Sequence, residues 1–140
     1  MCGGAGAASA IGLGISGQSV IGMMKKKPDL FGTGLVLSAL PASQGLYGFV
    51  AFIMYNGAIT TIGAEGLSVF HGSVALASGI MVAASCLASA ILQGKICATG
   101  MAAMADGHNV FGQAMILTVS SELYAILSLV ASIIMLSFMK

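Results

Sequence analysis

Phe111–Met139 reads FGQAMILTVSSELYAILSLVASIIMLSFM, and Glu122 is its only charged residue. A run this long and this apolar exceeds the roughly 20 residues that cross a bilayer as a helix. Three more such runs precede it. Cys2–Met24 carries no charge, the stretch from Phe31 carries none before Glu65, and Gly66–Gly94 carries none. Lipid admits only helices or closed barrels, because every backbone polar group must be paired internally. A barrel would alternate apolar and polar residues in roughly 10-residue segments. These blocks are instead apolar throughout. The predicted fold is therefore an all-α membrane protein with four transmembrane helices, multi-pass in the cell membrane.

Composition agrees. The 140 residues are 58% hydrophobic and only 6% charged, where a soluble domain is about 25% charged. A net charge of +1 leaves no electrostatic footprint for nucleic acid. Cys2, Cys86 and Cys97 lack the spacing of a disulfide framework or a zinc site and read as small packing residues, like the methionines. The first apolar block starts without a basic leader, so it is expected to be retained as a span.

The four spans form two tandem hairpins. The first, residues 1–56, holds helices expected over Gly4–Lys25 and Phe31–Tyr55, turned by Lys25-Lys26-Lys27-Pro28-Asp29. Pro28 and the residue before it resist helical continuation. The second, residues 69–140, holds helices expected over Val69–Met104 and Phe111–Met139, turned by Ala105-Asp106-Gly107-His108-Asn109. Residues 57–68 are the expected external linker. The three lysines place the first turn in the cytoplasm and both termini outside.

The halves resemble each other. Phe31-Gly32 recurs as Phe111-Gly112, and Leu46-Tyr47 as Leu123-Tyr124; Gln18 is the expected counterpart of Gln93. With the Leu-Tyr pairs aligned, Gly45 falls opposite Glu122, so one copy lacks the carboxylate. Gly6, Ala10 and Gly14 are spaced at four, as are Ala75, Gly79 and Ala83. Small faces of this kind let membrane helices approach closely, and here they are read as surfaces for association with like chains.

A carboxylate in mid-bilayer costs about 2.5–3.5 kcal/mol on insertion scales, and such residues mark ion and proton pathways. Glu122 is therefore the candidate functional residue. The plain alternative is a permanently protonated, hydrogen-bonded packing residue. Gln93 and Glu122 lie equally far from the second turn, hence at one depth, and Gln44 lies at a similar distance beyond Pro28. Leu40, Ser43, Gln44 and Tyr47 follow the i, i+3, i+4, i+7 pattern and share a helix face. Pro41 among them withholds a backbone bond from the Leu37 carbonyl and should loosen the turn. One carboxylate among neutral oxygens suits a small monovalent cation, since divalent sites carry more carboxylates. A buried glutamine can equally serve only to bond a neighbouring helix. His71 and His108 read as surface residues. Lys95, near the depth of Glu122 but on the face opposite Gln93, is expected to point into a lumen or to snorkel toward water.

At Leu40-Pro41-Ala42-Ser43-Gln44-Gly45-Leu46-Tyr47, Gln93-Gly94-Lys95 and Glu122-Leu123-Tyr124, the sequence resembles the rotor proteolipid of V-type ATPases, a duplicated relative of the proteolipid of F-type enzymes. The resemblance spans essentially the whole chain. It implies a ring of identical copies that turns against a stator membrane subunit bearing basic residues, is joined to central-stalk subunits and sits among membrane lipids. It implies that Glu122 carries the ion. In the sodium-binding branch, Leu40 would supply a carbonyl, Ser43 a hydroxyl and Gln44 and Gln93 amide oxygens, with Tyr47 hydrogen-bonding the carboxylate. Ser43 stands where threonine is more usual. This set implies Na⁺ as the ion, with H⁺ as the alternative, and no organic cofactor. The chain itself contains no Gly-x-x-x-x-Gly-Lys-Ser/Thr phosphate loop and is expected not to be an enzyme. A stand-alone ion transporter or channel with a site at Glu122 is the other reading, since transporters also build sites between repeats.

Overall fold

The computed structural model describes residues 1–139. Helix α1 spans Cys2–Met24 and ends where the Lys26 and Lys27 amides both bond to the Met23 carbonyl, at 3.0 and 2.9 Å. A 3₁₀ turn at Pro28–Leu30 reverses the chain into α2, Phe31–Ala39. A second 3₁₀ turn, Leu40–Ala42, leads into α3, Ser43–Gly66. Helix α4 runs over Val69–Ala105 and α5 over Phe111–Leu136, closed by a 3₁₀ turn at Ser137–Met139. The stretches Cys2–Met24, Pro28–Gly66, Val69–Ala105 and Phe111–Met139 are each long and apolar enough to cross a membrane.

Two local expectations need correcting. The linker is far shorter than residues 57–68, because α3 continues to Gly66. Residues 56–62 contain no proline, and the Thr60 and Thr61 hydroxyls bond back to the Asn56 and Gly57 carbonyls at 2.8 and 2.9 Å. Gly63, with φ +72°, kinks the helix near its end, a conformation that glycine adopts without steric cost. Pro41, in turn, does not leave the Leu37 carbonyl free. The Leu40 amide bonds to it, and the backbone tightens into a 3₁₀ turn.

Helix α1 packs along α4 and α3, and α4 packs along α5. Glycine brings the first pair together. A Cβ on Gly94 would stand 2.6 Å from the Gly12 carbonyl oxygen, and one on Gly12 would meet the Ala90 carbonyl and the Pro41 ring. The interior is small and polar: Gln44, Gln93, Thr118 and Ser16 are fully buried, while Ile21, Leu46, Ile116 and Leu117 are more than half exposed. Among the described residues, no buried side-chain nitrogen or oxygen lacks a hydrogen-bond partner. That is the distribution a bilayer selects, since lipid solvates isoleucine and leaves a lone amide unpaired.

The small-residue stripes divide. A Cβ on Gly79 would meet Met1, and Ala83 lies against Gly4, so the α4 stripe packs within the chain. Gly6, Ala10 and Gly14 on α1 face outward. Gln18 is also exposed and is no structural counterpart of buried Gln93. At the two hairpin turns, Lys26 Nζ lies 2.7 Å from Asp106 Oδ1, tying one hairpin to the other. At the opposite end, Ser68 and His71 form a reciprocal cap on α4.

Candidate functional site

Four elements converge on the level of Glu122. The Leu40–Ala42 turn and the start of α3 present Ser43, Gln44 and Tyr47; α4 presents Gln93; α5 presents Glu122. The tightened turn keeps three oxygens close. Ser43 Oγ donates to the Leu40 carbonyl at 3.1 Å and lies 3.4 Å from Gln44 Oε1. Gln44 Nε2 donates to Gln93 Oε1 at 2.9 Å and to Ser89 Oγ at 3.0 Å. Gln93 Nε2 donates to Glu122 Oε2 at 3.4 Å and to the Thr118 carbonyl at 3.2 Å. The Tyr47 hydroxyl donates to the other carboxylate oxygen, Glu122 Oε1.

Leu40, Ser43, Gln44, Tyr47, Gln93 and Glu122, the residues singled out in the sequence, thus belong to one connected network. Its middle is dry, with Gln44 and Gln93 at 0% exposure, while Ser43, Tyr47 and Glu122 are partly exposed at its edge. The depth count from the turns works because both hairpins are antiparallel and α4 and α5 are unbroken through this level.

Ser89, Thr118 and Ser121 were missed. Ser89 Oγ accepts from Gln44 and donates to the Ser121 carbonyl at 3.0 Å. Ser89 precedes Gln93 by one helical turn, so the i, i+4 rule that gathered the α3 residues would have found it. Thr118 takes part through its carbonyl, which no sequence pattern marks.

Lys95 is not in the network. It is exposed at the rim of an apolar groove of about 450 Å³ between α4 and α5, with Thr99 and Gln113. Two residues from Gln93, it points to the other side of α4, and it joins no ion pair among the described residues. Among the described residues, no three His, Cys, Asp or Glu side chains gather in a metal-binding group. The candidate ligands in the network are one carboxylate, two amide oxygens, the Ser43 hydroxyl and the Leu40 carbonyl. That donor set has a single negative charge and only hard oxygens, which fits a small monovalent cation and not a soft or divalent metal.

Two related helical hairpins enclosing one intramembrane carboxylate define a duplicated-hairpin, multi-pass membrane subunit. The family model for the C subunit of ATP synthase matches residues 1–55 and again residues 76–135, once per hairpin. The chain belongs to that family. It is similar to the A-type ATP synthase subunit K of Methanocaldococcus jannaschii, 37% identical over 132 residues, which cover 94% of this chain and 56% of that relative. It is also similar to the V-type sodium ATPase subunit K of Enterococcus hirae, 34% identical over 131 residues, covering 93% of this chain and 81% of that relative. The chain thus spans little more than half the archaeal protein and most of the bacterial one.

Proposed function

We propose that this chain is the rotor-ring subunit of a V/A-type rotary ATPase and carries Na⁺ across the membrane on Glu122. The observation that supports this most is the network itself: one carboxylate at mid-span, held by Tyr47 and Gln93 and followed by neutral oxygens on Gln93, Gln44, Ser43 and Leu40. A V-type sodium ATPase subunit among the relatives supports the choice of ion. H⁺ is the alternative cargo.

The residues divide the work. Na⁺ neutralises the carboxylate, so that Glu122 crosses the lipid-facing part of each turn without the full cost of a bare charge. Leu40, Ser43, Gln44 and Gln93 replace the hydration shell of the ion with fixed oxygens. Tyr47 holds the carboxylate in the rotamer that faces them. Beside a basic residue of the stator, Glu122 exchanges its ion for that charge, and the ion leaves to water. Each ion that crosses the membrane exchanges about 2.3 kcal/mol per 100 mV, coupled to ATP turnover elsewhere through central-stalk subunits. The chain does no covalent chemistry. Identical copies complete the ring, membrane lipids surround it, the lysine turn faces the cytoplasm and both termini lie outside.

Labelling of Glu122 by a hydrophobic carbodiimide tests the site. Na⁺ is expected to slow labelling at alkaline pH, where H⁺ does not compete. Equal labelling rates with and without Na⁺ would remove sodium as the cargo and leave the proton.

A further inference from the structure

The repeat can be checked position by position against burial. In the register that pairs Leu46-Tyr47 with Leu123-Tyr124, Gly48, Ala51 and Tyr55 pair with Ala125, Ser128 and Ser132, and all six are buried. Leu46 and Leu123 pair as outward residues, at 63% and 54% exposure. The tyrosines break the pattern. Tyr47 is half-buried because it reaches across to the following hairpin and donates to Glu122. Tyr124 is 71% exposed, and only its backbone carbonyl is engaged, by Ser85 Oγ at 2.9 Å. Its hydroxyl has no partner among the described residues. A phenol near mid-span in lipid leaves a strong donor unpaired, which apolar surroundings penalise. Tyrosines that face lipid gather instead at the membrane–water interfaces.

What covers Tyr47 is the next hairpin along the chain. Among the described residues nothing covers the Tyr124 ring, and by the repeat its counterpart cover is the first hairpin of another copy. We propose that Tyr124 seats against the next copy at Gly45, the position aligned with Glu122, and that this contact repeats between chains the Tyr47–Glu122 contact made within one. The receiving surface has the required shape. Gly45 lies beside Gly6, whose own Cβ position is open, and exposed Ala10 and Ala42 flank them. It also has a polar group: Ser9 Oγ accepts from the Gly45 amide at 2.7 Å and donates to the Ala42 carbonyl at 3.2 Å. A carboxylate at position 45 would occupy the space that the incoming ring takes. The one-sided loss of the acidic residue thereby leaves one ion site per chain and a socket for the neighbour. A contact of this head-to-tail kind closes into a ring or continues as a filament; this assignment rests on the ring reading above.

The test is disulfide trapping in membranes, with exposed Cys2 replaced by Ser. Y124C paired with G45C, or with A42C because a Cβ at Gly45 would stand 3.2 Å from Ser9 Oγ, is expected to give a ladder of covalent oligomers on oxidation. Each single variant should give at most dimers. A ring intact on native electrophoresis that yields no ladder with either pair, and in which the thiol introduced by Y124C reacts with a lipid-soluble maleimide, overturns the contact and leaves the ring standing. Monomers only, for the Cys2-substituted parent as well, overturn both. Y124A should loosen the ring toward detergent while leaving Na⁺ protection of Glu122 unchanged; a loss of protection would assign Tyr124 to the ion site instead.

Discussion

At the scale of single residues, the site depends on how few charges it holds. Among the described residues, Gln93 is the only side chain hydrogen-bonded to both Gln44 and Glu122. Q93A removes an oxygen from the proposed ligand set and a donor from the carboxylate. Hydrogen bonds to charged groups contribute about 1.5–3 kcal/mol, so Na⁺ affinity should fall by about 10- to 100-fold, read from Na⁺ protection against carbodiimide. Proton protection should change less, and an unchanged Na⁺ affinity would exclude Gln93 as a ligand. Y47F deletes the hydroxyl bonded to Glu122 without changing the ligand oxygens, so it should weaken Na⁺ binding less than Q93A and speed ion release. The identity of these residues was legible because a lone charge, two amides and a helix-face pattern are all visible in one dimension. The linkage from Gln93 to the Thr118 carbonyl was not, because a backbone carbonyl carries no one-dimensional mark, whereas Ser89 lay within reach of the i, i+4 rule.

At the scale of elements, two features position the site. Gly12 and Gly94 let α1 and α4 touch, and the Leu40–Ala42 turn sets Ser43 and Gln44 against α4. G94A places a methyl 2.6 Å from the Gly12 carbonyl oxygen, a backbone atom that cannot swing aside. It should lower the thermal stability of the assembled protein and weaken Na⁺ protection together, since both follow from the α1–α4 distance; normal stability with normal protection would remove the glycine pair as a positioning element. P41A offers the complementary case. It restores a backbone donor and permits a continuous α-helix, which would rotate Leu40 away from Ser43, so Na⁺ affinity should drop while the four spans persist by circular dichroism. The position of Pro41 was plain in the sequence. Its consequence was not: the expected loosened turn is a tightened one, because the Leu40 amide takes the Leu37 carbonyl. Helix α3 likewise outran its expected end because threonines can bond back onto their own helix, whereas polarity alone suggested a linker.

At the scale of the whole molecule, the two hairpins are tied at one end by Lys26 and Asp106. The hydrogen bond and charge of Lys26 hold the Asp106 carboxyl below the usual carboxylate range. A depressed carboxyl contributes stability above its unfolded pKa and loses it as pH falls through the folded one. The pair is exposed, so its contribution is small and screened by salt. K26A should therefore melt slightly below the parent at neutral pH and low salt, and the gap should close in acid; a gap that persists in acid would assign Lys26 another role. Liposomes holding only this chain should not leak Na⁺, because a rotor subunit without its stator has no continuous path, whereas a measurable flux would favour a self-contained transporter. Helix count, hairpin duplication and the carboxylate followed from the sequence alone, because bilayer thickness turns apolar length directly into spans and one charge in lipid stands out. Which faces meet was decided only in three dimensions. Side-chain burial depends on helix rotation and on the distance between helices, and these are set by paired glycines and by a backbone turn. So Gln18 is exposed and Gln93 buried, though they are alike as letters, and Tyr47 reaches the second hairpin at Glu122 while Tyr124 stands exposed.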